Sequence, residues 1–219
     1  MIISRGRGYI FVHIPKTGGT AMALALEARA MADDILIGDT PKARRRKRRL
    51  AGITARGRLW KHSTLADISG LIPDAEIAGL FTFTLVRNPW DRVVSYYHWL
   101  RGQSFDHPAV GLARDLSFAA FLAHPHTGAS LHNAPYGSYM RRANGVEHCA
   151  AFVRLEALEQ DLPPVRAHLG FPLTLPAGVN ASTRRTDFRS YYDDKSAELV
   201  ARLCAPDIAR FGYRFDQAA

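Results

Sequence analysis

The chain has 219 residues, 47% of them hydrophobic, with 29 lysines and arginines against 20 aspartates and glutamates and a formal net charge of +9. That length suits one α/β core over residues 1–219 and argues against two full domains, and the charge implies anionic company: nucleic acid, a membrane surface, an anionic polysaccharide or a polyphosphorylated nucleotide. No apolar run reaches bilayer-spanning length and the first residues lack a signal-peptide core, so a cytoplasmic protein without a transmembrane segment is expected. Cys149 and Cys204 are too few for a disulfide framework and lack metal-ligand spacing. Two reduced thiols are expected, with a single bridge as the alternative.

In chain order, Tyr9 to His13 is short, β-branched and aromatic, as a buried strand of a parallel sheet would be. Pro15 stops it, and Lys16-Thr-Gly-Gly-Thr20 follows before an Ala-, Leu- and Met-rich stretch from Ala21 to Ala30. Strand, anion-binding loop and helix are expected here, with Thr20 as helix cap and Gly18 and Gly19 baring the backbone to an anion. Lys16 precedes the glycines, which excludes the Walker order, where lysine follows the last glycine.

Asp33 to Gly57 reads as irregular. Within it, Lys42-Ala-Arg-Arg-Arg-Lys-Arg-Arg49 would repel itself in a packed helix, so a mobile basic loop is expected, serving either as solvated surface or as a steering patch. Ser63 or Thr64 with Asp67 signals a short helix ending near Pro73. Phe81, Phe83 and Leu85 alternate with threonines in a second strand over Ile77 to Val86. Pro89 then opens an amphipathic helix with Trp90, Val93, Val94, Tyr97 and Leu100 on one face and Asp91, Ser95 and His98 on the other. Arg87 and Ser95 form a second candidate anion site.

Leu116 to Ala123 reads as a helix, and His124 to Gly137 as a long loop suited to an acceptor lid. His124 and His126 have no partner at metal-ligand spacing, so no metal is expected. Ala151 to Glu156 reads as a third strand, and Ala157 to Leu169 as a helix restarted at Pro163-Pro164. A polar basic loop spans Asn180 to Asp187. A helix from Asp194 to Cys204 and an aromatic end at Phe211 to Phe215 close the chain.

Five segments together resemble the sulfotransferases that use 3′-phosphoadenosine 5′-phosphosulfate (PAPS), in particular the broad group containing the heparan sulfate 2-O-sulfotransferases and many bacterial relatives. They are Ile14-Pro-Lys-Thr-Gly-Gly-Thr20, Lys61-His-Ser-Thr64, Val86-Arg-Asn-Pro-Trp-Asp-Arg-Val-Val-Ser-Tyr-Tyr97, Val153-Arg-Leu-Glu156 and Ile208-Ala-Arg-Phe-Gly-Tyr-Arg-Phe215. The resemblance implies a P-loop-like nucleotide-binding fold with a central parallel sheet and helices on both faces. It also implies PAPS as cosubstrate, with the 5′-phosphosulfate on Lys16, Thr17, Gly18, Gly19 and Thr20 and the 3′-phosphate on Arg87 and Ser95. Arg184 and Arg185 stand where relatives close over the nucleotide.

The implied reaction is in-line transfer of a sulfuryl group to a hydroxyl or amine of a carbohydrate-like or other acceptor. Lys16 would face the leaving phosphate and His62 would act as base, with His13 as rival. The acceptor is not named by the sequence; an anionic glycan steered by the basic block is one candidate, and nucleic acid is the less favoured partner. A nucleoside-triphosphate phosphotransferase, with Asp91 as the nearest metal-holding carboxylate, and a non-catalytic glycan- or nucleic-acid-binding module are the alternatives.

Overall fold

The computed structural model describes residues 1–176 and 184–216, so the stretch 180–183 of the expected basic loop lies outside the described residues. Described residues fall into two compact units, 1–86 with 136–176 and 87–135 with 184–216. The chain runs β1 (Ile2–Ser4), β2 (Tyr9–Val12), α1 (Gly19–Glu27), β3 (Ile35–Leu36), α2 (Pro41–Arg46), α3 (Asp74–Gly79) and β4 (Phe81–Val86). It continues with α4 (Pro89–Arg101), α5 (Pro108–Asp115), α6 (Phe118–Ala123), α7 (Pro125–His132), α8 (Tyr136–Tyr139) and β5 (Ala151–Arg154). Then come α9 (Leu158–Asp161), α10 (Pro163–Leu169), α11 (Asp194–Leu203) and α12 (Ala205–Phe211).

The first unit holds a mixed five-stranded sheet in the order β3-β1-β2-β4-β5. β2, β4 and β5 are parallel, with Tyr9 opposite Phe81 and Phe83 opposite Ala151, so the expected α/β class with a parallel centre is what forms. Two antiparallel strands extend it. β1 returns as β2 through a tight turn closed by the Gly8 N–H donating to Arg5 O (3.1 Å), and Gly8 supplies the positive φ the turn requires.

Alternation along each strand sends side chains to both faces. Tyr9, Phe11, Phe83 and Leu85 pack with Met22 and Leu26 of α1 and Val165 and Leu169 of α10. Ile10 and Val12 pack on the other face with Leu65, Ile68, Ile72, Ile77 and Met140. With both faces covered, Thr82 and Thr84 are wholly buried, and their hydroxyls donate to His148 O (2.5 Å) and Val12 O (2.8 Å).

Three expectations about local structure are corrected. The basic block forms α2 and a 3₁₀ turn (Lys47–Leu50), because Thr40 caps Ala43 N and Pro41 starts the helix. Repulsion within the block is relieved by carbonyl oxygens: Lys42 donates to Glu27 O, Arg46 to Met31 O and Asp34 O (2.8 and 3.1 Å), and Arg49 to Ala32 O. These lie at and just beyond the carbonyl-rich, partially negative end of α1. At Thr64 and Asp67 the reciprocal capping bonds form (2.7 and 3.2 Å) but enclose turns, without a helix. The long loop from His124 is instead occupied by α7 and α8. Here His124 Nδ1 accepts from His126 N (3.2 Å) and Pro125 fills the first helical position.

In the second unit α5 starts the same way, His107 Nδ1 accepting from Ala109 N (3.1 Å) ahead of Pro108. The apolar face expected for α4 is buried there: the Trp90 indole N–H donates to Ala197 O (2.9 Å), and the Tyr97 ring meets Phe118 and Phe121. The aromatic tail packs in this unit, with Phe215 against Trp90, Phe188 and Tyr192. Cys149 and Cys204 are both free thiols, and burial pushes Cys204 up to about 11. No helix among the described residues is long and apolar enough to cross a membrane.

The Thr40 hydroxyl both caps α2 and donates to the buried Glu27 carboxyl (2.7 Å). Thr40→Val keeps the volume and removes both bonds. Urea denaturation should show a loss of about 2 kcal/mol or more, summing a cap and a buried hydrogen bond.

Candidate functional site

β2 delivers its carboxyl end to the loop Pro15 to Gly18, the position at which open α/β sheets bind ligands. Through this loop the backbone alternates in sign, with φ +67° at Lys16, negative at Thr17 and +85° at Gly18. Alternation of this kind turns successive N–H groups toward one concave side, which suits anionic oxygens. Lys16 is the one non-glycine at positive φ among the described residues. Left-handed backbone at such a residue costs roughly 1–2 kcal/mol, and an outlier held at a loop points to function.

Gly18 is the N-terminal cap of α1, which corrects the expectation for Thr20: the left-handed glycine starts the helix early, so Thr20 already lies in its first turn. The Thr17 hydroxyl donates to Ile14 O (2.9 Å) and is wholly buried, closing the loop on itself. Gly19 is dictated by close approach and Gly18 by its left-handed backbone. A Cβ at Gly19 would lie 2.0 Å from His13 Cδ2, and one at Gly18 2.8 Å from Leu155 Cδ1.

His13 is buried at 6% exposure, and desolvation, reinforced by the charges of His62, Lys61 and Lys16, holds it well below the usual histidine range. Its carbonyl is 2.7 Å from His62 Nδ1. A carbonyl only accepts, so Nδ1 carries the hydrogen and Nε2 is the basic nitrogen of the neutral His62 ring. The two rings meet edge-on at 4.7 Å, and Trp60 meets His62 edge-on at 4.9 Å. The segment carrying them is pinned by the Ser63 hydroxyl, which accepts from Trp60 N (2.9 Å) and lies 2.8 Å from both Arg58 O and Trp60 O. Arg58 lies over the Trp60 ring, 5.3 Å from its centroid.

The second unit builds its own charged cluster. Asp91 Oδ2 accepts from Arg87 Nε (2.9 Å) and Nη2 (2.6 Å), while Oδ1 accepts from Arg184 Nη2 (2.5 Å). Ser95 is buried one turn further along α4. Arg185 is exposed, and its backbone N–H donates to the Tyr191 hydroxyl (2.9 Å). The structure thus places Lys16 to Thr20, His13 and His62 in one unit and Arg87, Ser95, Arg184 and Arg185 in the other. Asp91's joint hold on two arginines was missed from sequence, although its i,i+4 spacing from Arg87 is a readable signal. No group of three histidine, cysteine or acidic side chains able to hold a metal occurs among the described residues.

Burial lowers His62 from 6.5 to about 4, while the bond to His13 O pulls the other way. Between those values the unfolded chain binds the extra proton. The stability contributed by neutral His62 is therefore complete above pH 6.5 and lost as pH falls through about 4, up to about 3 kcal/mol, with His13 acting in the same direction. Thermal unfolding against pH checks this. His62→Asn, whose amide can replace Nδ1, should flatten that part of the profile.

Comparison of the chain with protein families and with curated proteins finds no match in either. Among solved structures it is similar to a mouse sulfotransferase, SULT7A1, complexed with PAP, at a TM-score of 0.46 and 16% identity over 94% of this chain and 86% of that one.

Proposed function

We propose that the chain is a sulfotransferase that moves the sulfuryl group of PAPS to a hydroxyl or amine of a carbohydrate-like acceptor. The observation that carries this reading is the loop after β2, where sign-alternating backbone, two obligatory glycines and a strained lysine occur together. In the proposal, Lys16, Thr17, Gly18, Gly19 and Thr20 hold the 5′-phosphosulfate, Thr17 through its backbone because its hydroxyl is engaged. Arg87, Ser95, Arg184 and Arg185, which follows Arg184 in sequence, hold the 3′-phosphate. PAPS supplies an activated sulfuryl group on a phosphate leaving group.

Lys16 stabilises charge on that leaving phosphate, an effect typically worth ~10²–10³ in rate for one donor. His62 takes the acceptor's proton on Nε2, for which its neutral, Nδ1-anchored ring is the required form. The phosphotransferase alternative needs a carboxylate able to hold Mg²⁺, and its nearest candidate, Asp91, is engaged by two arginines. An anionic glycan fits the remaining exposed cations of the basic block, Arg44, Arg45, Lys47 and Arg48. Nucleic acid remains the less favoured partner.

Calorimetric titration with PAP should show binding that Lys16→Ala and Arg87→Ala each weaken. His62→Asn should retain that binding and lose ~10²–10⁴ in turnover with labelled PAPS. Absence of both PAP binding and transfer to a panel of glycans, lipids and small molecules would sink the proposal. Replacing Arg44, Arg45 and Arg48 by Gln should raise the acceptor KM and flatten its salt dependence, with the fold intact because Lys42, Arg46 and Arg49 make the structural bonds.

A further inference from the structure

The face of α4 opposite its apolar stripe carries Asp91, Ser95 and His98, four and three residues apart and so stacked on one side of the helix. Asp91 is one carboxylate serving two guanidinium groups, and the three side chains are 15%, 8% and 10% exposed for Arg87, Asp91 and Arg184. Two guanidinium groups therefore share this carboxylate where water is scarce. A phosphate oxygen cluster beside two guanidinium groups is favoured in such surroundings, because charge-assisted bonds gain strength there.

A second observation points the same way. Among the described residues, Arg184 Nη1 and His98 Nε2 are buried without a hydrogen-bond partner. Native structures leave few such atoms, and these two belong to an arginine and to a histidine that feels its charge, a pair suited to a ligand rich in acceptor oxygens. The Tyr191 ring stands edge-on to His98 at 5.0 Å, and its helix neighbour Tyr97 at 5.5 Å. Burial first, then the charges of Arg184 and Arg101, hold His98 below the usual histidine range.

We propose that His98 is a further ligand of a nucleotide phosphate monoester bound at this cluster, and that it takes up a proton from solvent when that anion binds. The proposal rests on the reading of the cluster as the 3′-phosphate site. A phosphate dianion receives hydrogen bonds from Arg184 Nη1 and from His98 Nε2–H, and its charge works against the burial and the Arg184 repulsion that lower the imidazole. No covalent bond changes; one proton moves from solvent to the ring. The phosphate's own titration has the opposite sign, since arginines drive protons off a phosphate with second pKa near ~6. Net uptake therefore points to a histidine, and its loss in His98→Gln, with His13 and His62 unchanged, identifies which one.

The test is calorimetric titration of PAP into the full chain at pH 7 in buffers of differing ionisation enthalpy, with 5′-AMP and inorganic phosphate as further probes. Expected are uptake of a fraction of a proton with PAP and none with 5′-AMP, and a wild-type affinity that falls by up to ~10-fold per pH unit above neutrality. His98→Gln should still bind PAP but without uptake and without that pH dependence. PAP binding without proton uptake, or uptake that persists in His98→Gln, overturns the role of His98 while leaving the nucleotide site standing. Uptake with inorganic phosphate but not with PAP overturns the assignment to a nucleotide. Absence of PAP binding overturns the nucleotide reading and this proposal with it.

Discussion

The contact between the His13 ring and Gly19 sets the geometry of the first unit's candidate site. No other residue fits at Gly19, because a Cβ there would stand 2.0 Å from the ring. The ring in turn fixes the chain leaving β2, whose His13 carbonyl anchors His62 and whose next turn carries Lys16 into left-handed backbone. Anion loop and candidate base thus derive from one packing decision at the end of one strand. A change at either member of the pair alters both.

The second unit is governed by charge. A single carboxylate at Asp91 holds Arg87, four residues before it, and Arg184, far along the chain, so the arginines keep a fixed arrangement without any ligand. Preorganisation of this kind lowers the ordering cost of binding a phosphate. In the proposed role the same carboxylate would compete with a phosphate for the two arginines.

Much of this was legible in residues. β2, β4 and α4 follow from an apolar run, an alternating run and helical spacing, each with both period and flanking signal in agreement. β1 was not foreseen because three residues are too short for a pattern, although Ile2-Ile3 before a glycine-rich turn was its signal. α5 was missed and α7 taken for loop for one shared reason. Their caps are the histidine nitrogens of His107 and His124, each followed by proline, and capping rules look first for serine, threonine, aspartate and asparagine. For the candidate site, motif singles out Lys16, Arg87 and His62 as residues to propose, whereas the sign of φ at Lys16 and the meeting of Arg184 with Asp91 are tertiary facts with no local signature.

The carbonyl-bound half of the basic block has a consequence for how such runs are interpreted. Lys42, Arg46 and Arg49 act as a molecular clasp over the stretch from Glu27 to Asp34, each cation tethered to peptide oxygen. A run that composition alone would assign to polyanion binding or nuclear import is thus divided by helical periodicity. One subset is architectural, and a charge-neutralising modification there would loosen the joint between α1 and α2, whereas the same modification at Arg44, Arg45, Lys47 or Arg48 would change only the surface potential.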